Sequence, residues 1–141
     1  MTKFKGGKMI DDITKALDVA SQKLVTQTQS LLSKASPVDT GRLASSWVVN
    51  ENSPSEYVPP EEPWASLKKG DAPIINVLEY TQPIKYGRTY YIASNLPYSK
   101  IAALDPQYSG KINSKQWFTS IRDNMSQYAN KIYQNELRKI K

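Results

Sequence analysis

The chain has 141 residues, 19 Lys and Arg against 13 Asp and Glu, a formal net charge of +6, and neither Cys nor His. That length suits one domain with a real core. The missing thiols and imidazoles exclude disulfides, thiol nucleophiles, zinc–thiolate sites and every His-based triad. No apolar run approaches the roughly 20 residues of a membrane helix. Met1–Lys8 is polar and basic, unlike a secretory signal, so a cytoplasmic product is expected.

Residues 1–8 read as a flexible basic arm, either a frayed end or an arm that orders on a partner, and 9–141 as a single domain. From Met9 to Lys34 the apolar residues Ile10, Ile13, Leu17, Ala20, Leu24 and Leu31 recur at helical spacing, with no Gly or Pro to interrupt them. Asp11 and Asp12 fall in the expected first turn, where carboxylates favour the helix dipole. Val19, Val25 and Leu32 lie off this stripe, which leaves a second face for a partner or one amphipathic core helix.

The stretch Ser36–Trp47, S-P-V-D-T-G-R-L-A-S-S-W, ends that helix and opens a strand. Pro37 cannot continue a helix. Asp39 and Thr40 can hydrogen-bond the turn, and Gly41 tolerates a conformation that a Cβ opposes. Leu43 and Trp47 are apolar anchors. Arg42 either locks the turn through Asp39 or bridges to a carboxylate on another subunit, its planar fork suiting a bidentate contact.

Ser46–Asn50 reads as a short strand. The next segment, 51–73, is an extended loop carrying Pro54, Pro59, Pro60 and Pro63 with a local excess of acid that includes Glu61 and Glu62. Tyr57 and Trp64 in it need a surface to cover. The loop either packs on its own domain or reaches a neighbouring subunit, with Tyr57, Glu61, Glu62 and Trp64 as interface candidates. Ile74–Tyr80 and Arg88–Ser94 have the strongest strand character and predict an antiparallel hairpin. Tyr98–Leu104 reads as a short helix or turn. Ser114 caps a last helix whose stripe is Trp117, Ile121, Met125, Tyr128 and Ile132. The expected fold is α+β: a small, mainly antiparallel sheet flanked by a long N-terminal helix and a C-terminal helix, with a long Pro-rich loop.

Three blocks carry a resemblance. They are P-V-D-T-G-R-L-x-x-S-W, comprising Pro37, Asp39, Thr40, Gly41, Arg42, Leu43 and Trp47; the strand ending at Asn95, Pro97 and Tyr98; and a C-terminal helix opening at Gln116-Trp117-Phe118. In this order they resemble the tail-completion or neck proteins of long-tailed bacteriophages, minor tail components similar to the lambda gene Z product. The resemblance implies a structural virion protein that works as a homo-oligomeric, usually hexameric, ring around the DNA channel. It implies tail terminator or head connector proteins as neighbours, and DNA that passes without specific recognition. The loop after β-type residues 46–50 is longer than the family pattern, and Leu104-Asp105-Pro106 stands where an E-x-G would follow the second block.

No carboxylates are spaced as an acid–base pair, and Ser45-Ser46 has no base to activate it, so no catalysis, cofactor, metal or small-molecule substrate is expected. Two other readings stay open: a tail terminator or stopper from the same neck region, and a single-stranded nucleic-acid-binding module. The latter would use Tyr80, Tyr86, Tyr90, Tyr91, Tyr98 and Tyr108 with Lys85, Arg88 and Lys100 interleaved.

Overall fold

The computed structural model describes residues 5–36, 42–60, 75–97, 99–104 and 117–140. The elements, in chain order, are α1 (Lys5–Ala35), β1 (Val48–Glu51), β2 (Tyr90–Ala93), α2 (Ser99–Leu104), α3 (Trp117–Asp123) and α4 (Met125–Arg138). This is a small α+β fold with a long helix at each end of the chain. α3 and α4 form one nearly continuous helix, because Asn124 donates its N–H to Ser120 O (3.2 Å) and accepts from Tyr128 N–H (3.0 Å).

α1 has 31 residues and is about 46 Å long at 1.5 Å per residue. It starts at Lys5, inside the expected arm, and Asp11 and Asp12 therefore lie beyond its first turn. Gly6 and Gly7 are helical because extending an existing helix adds one hydrogen bond per residue ordered.

The face that α1 buries differs from the apolar stripe. Ala20, Ser21, Val25, Thr28, Gln29, Leu32, Ser33 and Ser36 are buried, whereas Ile10, Ile13 and Leu31 are exposed. Val25 and Leu32, expected off the core face, are core residues. The polar members are tolerated because most of them have partners. Ser21 Oγ donates to Leu17 O (2.8 Å) and pairs with Tyr133 Oη (2.6 Å). Ser36 Oγ donates to Leu32 O (2.6 Å), and Thr28 Oγ1 approaches Met125 Sδ (3.9 Å). A buried hydroxyl with a partner avoids the desolvation penalty that a periodicity argument assigns to it.

β1 and β2 are antiparallel, with Val48 opposite Ala93 and Glu51 opposite Tyr90. One cluster contains Leu32, Leu43, Trp47, Leu96, Ala103 and Trp117, with Ala35, Ile92, Phe118 and Ile121 against it. A second contains Val25, Val49 and Ile84, flanked by Tyr80, Tyr90 and Ile92. Ile92 touches both and joins the sheet to the helical layer.

The expected strand over Ile74–Tyr80 is not part of the sheet among the described residues, and Ile74 itself lies outside them. Residues 75–81 run without a turn or bend, but two side chains occupy the places of a ladder. Gln29 Nε2 donates to both Trp47 O (2.8 Å) and Leu78 O (3.1 Å), spanning the gap between β1 and this segment. Asn76 N–H donates to Ser45 Oγ (2.7 Å). The hairpin with 88–94 is therefore replaced by direct pairing of β1 with β2. Between them, Gly87 turns the chain at φ +88°, in the left-handed region where a Cβ is disfavoured.

Replacing Gln29 by Leu leaves two carbonyls without their donor. An unsatisfied buried acceptor costs about 1–3 kcal/mol. Urea unfolding of Gln29→Leu is expected to show a midpoint lowered by an amount of that order, with the slope unchanged. A midpoint equal to the wild type would remove Gln29 from the role of spacer.

Candidate assembly site

Trp47 sits where the three sequence blocks meet. Its ring stacks on Phe118 (centroids 5.9 Å apart, planes 14° apart) and meets Trp117 edge-on at 6.1 Å and 81°. Its indole N–H donates to Ser36 Oγ (2.8 Å), which closes the end of α1 onto β1. Leu43, Trp47, Leu96 and Trp117 are all buried in the same cluster. Ser46 Oγ donates to Leu43 O (2.6 Å) and pairs with Ser94 Oγ (2.6 Å), so the first block is tied directly to the second.

The loop after β1 is held at three points. Asn95 Nδ2 donates to Ser55 O and to Tyr57 O. Arg42 Nη2 donates to Pro59 O (3.1 Å), and Pro59 is fully buried. Asn50 Nδ2 donates to Ser53 O (2.9 Å) next to Asn52, whose φ is 69°. Arg42 thus clamps the loop of its own domain through a carbonyl, an arrangement that neither sequence reading of this residue contained. Tyr57 is 38% exposed on that clamped segment and Pro97 is exposed. Pro37, Asp39, Thr40, Gly41, Tyr98, Glu61, Glu62 and Trp64 lie outside the described residues, as does Ser114.

Sequence reasoning missed Gln29, Ser36, Ser45, Ser46, Ser55 and Ser94 as organising residues. Single polar residues on apolar faces carry no local pattern. The one available signal was the interruption of the α1 stripe near Gln27 and Thr28.

A charged clamp joins the two long helices. Glu136 is buried on α4 and accepts from Lys23 on α1 and from Lys139 (3.0 Å). The Lys23 hydrogen bond first, and the Lys139 hydrogen bond second, hold the Glu136 carboxyl below its ordinary value of 4.5. The same bond to Glu136 leads the effects that hold Lys23 above 10.5. Tyr128 Oη donates to Gln27 Oε1 (2.6 Å) further along the same seam.

Of the six tyrosines named for base stacking, Tyr80, Tyr86 and Tyr90 have ring contacts, Tyr91 is exposed, and Tyr98 and Tyr108 lie outside the described residues. Tyr80 meets Tyr90 edge-on at 6.1 Å, and Tyr86 meets Tyr133 at 5.7 Å. Lys85 pairs with Asp18 (3.5 Å) and Arg88 with Glu51 (3.2 Å), while Lys100 is exposed. A half-open cleft of about 530 Å³ lies along α1, between Val19, Val25 and Gln29 on one side and Tyr80, Pro83 and Ile84 on the other. Among the described residues no group of acidic, His or Cys side chains could hold a metal ion, and no helix is long and apolar enough to cross a membrane. Comparison with protein-family models, with curated proteins and with solved structures finds no match for the chain.

Two outcomes are expected. Asn95→Ala frees the Ser55 and Tyr57 carbonyls, and should lower unfolding free energy by about 0.5–1.5 kcal/mol per lost bond while speeding proteolysis within 52–60. Equal cleavage rates would show that Asn95 does not hold the loop. The Glu136 clamp is at full strength above about pH 4.5 and is lost as pH falls through the lowered folded-state value; on the alkaline side it is lost as pH rises past about 10.5 through the raised Lys23 value. Glu136→Gln should therefore flatten the acid limb of a melting temperature–pH profile. An unchanged acid limb would show that other carboxylates govern it.

Proposed function

We propose that the chain is a structural neck protein of a long-tailed bacteriophage, which completes the tail and makes it competent to join a DNA-filled head. It acts as a ring of identical subunits around the DNA channel, usually sixfold, with a tail terminator or head connector above and below. The observation that carries the reading is the convergence on Trp47. Blocks separated by about 50 and 20 residues in sequence supply Leu43, Trp47, Leu96 and Trp117 to one buried cluster, while Asn95 and Arg42 from those blocks hold the loop. The motif residues in this reading build the subunit's frame, and the surfaces around the frame make the contacts.

Exposed apolar side chains supply such surfaces. Met9 and Ile10 are 60% and 62% exposed near the start of α1. Among the described residues, the hydrogen bonds and ion pairs from α1 to the rest of the protein fall at Asp18 or later. A helix end with an exposed apolar face is marginal in water, which favours cover by another subunit. The nucleic-acid reading has less support, because three of its rings, Tyr80, Tyr86 and Tyr90, and two of its cations, Lys85 and Arg88, have partners within the protein.

The test is electron microscopy of lysates from the phage that encodes this chain, carrying a nonsense allele of the gene. Full heads and finished tails lying unjoined are expected. Joined, infectious particles in normal numbers would overturn the neck assignment.

A further inference from the structure

We propose that residues 75–81 form an intermolecular β-strand, which pairs with the outer edge of β2 in a second copy of this chain. The segment has the composition of a strand and runs without a turn or bend, yet it has no ladder. Its two backbone bonds to the described protein come from alternate residues: the N–H of Asn76 and the C=O of Leu78. In an extended chain the N–H and C=O of one residue point to the same side, and those of the next residue to the other. The even-numbered residues therefore face the body through Ser45 and Gln29. The backbone groups of Ile75, Val77 and Glu79 face away from it, and no described hydrogen bond uses them.

The same reasoning locates the complementary edge. Asn52 N–H bonds Thr89 O (2.9 Å), and the register makes 50/91 and 48/93 the hydrogen-bonded pairs. The backbone groups of Tyr90 and Ile92 then point outward from β2, where no described hydrogen bond meets them either. The order across the layer is the 75–81 segment, Gln29, β1 and β2. The two unused edges thus lie on opposite sides of one molecule, one on each flank.

Edges of this kind are the usual templates for strand addition. Two different edges on opposite flanks make a head-to-tail contact, which closes to a ring or runs on as a filament. Ile75 and Leu78, 51% and 47% exposed, and Tyr91, 40% exposed, lie on the two edges and supply apolar contact to the joint. A second copy is the occupant because one chain carries both halves of the joint. The inference needs no assumption about the neck, since any assembly of this chain can use the contact.

Sedimentation of the wild type, Glu79→Pro and Glu79→Thr over a concentration series tests it. Proline removes one outward N–H at an exposed position, while threonine keeps it. The wild type and Glu79→Thr are expected to associate, and Glu79→Pro to associate at least about tenfold more weakly. In the wild type, amide exchange at Val77, Glu79, Tyr90 and Ile92 should slow as the chain associates, while exchange at Asn76 stays constant. A wild type that remains monomeric throughout, or an assembly in which those four amides exchange as fast as in the monomer, would overturn the proposal.

Discussion

The position of Trp47 is the constraint on which the other contacts depend. Its ring needs a large apolar enclosure, and its N–H needs a partner inside it. Ser36 satisfies the N–H and Gln29 satisfies the carbonyl. Gln29 lies on α1 and Ser36 directly follows its last residue, so one residue fixes the long helix against the start of β1. Trp117 and Phe118 then close the ring from the C-terminal helix. Truncating so large a buried side chain costs about 3–5 kcal/mol in a typical core, a large share of a small domain's total.

The same arrangement explains why the sheet has two strands among the described residues. The buried face of α1 is studded with Ser, Thr and Gln, which hydrogen-bond across their contacts rather than only filling space. Gln29 meets two backbone carbonyls at once and holds 75–81 beside β1 without letting it join. The outcome is a strand-like segment with one satisfied side and one unsatisfied side. A buried polar network with its partners in place is specific about geometry, since small displacements lose whole hydrogen bonds. That specificity holds 75–81 in a fixed place beside β1.

The loop after β1 illustrates a different principle. Prolines keep 52–60 out of regular structure, yet Pro59 is fully buried and the backbone at Ser55 and Tyr57 is held by Asn95. Arg42 contributes to this anchoring through the Pro59 carbonyl. Irregular backbone can be well anchored when side chains supply the bonds a ladder would have made.

Much of this was legible in the chain alone. The two long helices follow from periodicity and from the absence of breakers between Met9 and Lys34. β1, β2 and the short helix at Ser99 follow from strand composition and from Pro97. The stripe Trp117, Ile121, Met125, Tyr128 and Ile132 packs as its spacing implies, and Leu43 and Trp47, read as apolar anchors, are both buried. What only the tertiary structure decided was which face of α1 is inside, where 75–81 goes, and what Arg42 and Gln29 hold. The physical reason is common to all of these. Periodicity ranks faces by transfer free energy, whereas the cost of burying a polar group depends on a partner far away in sequence. Gln29 reaches Leu78, Ser21 reaches Tyr133 and Ser46 reaches Ser94 across separations that no local pattern encodes.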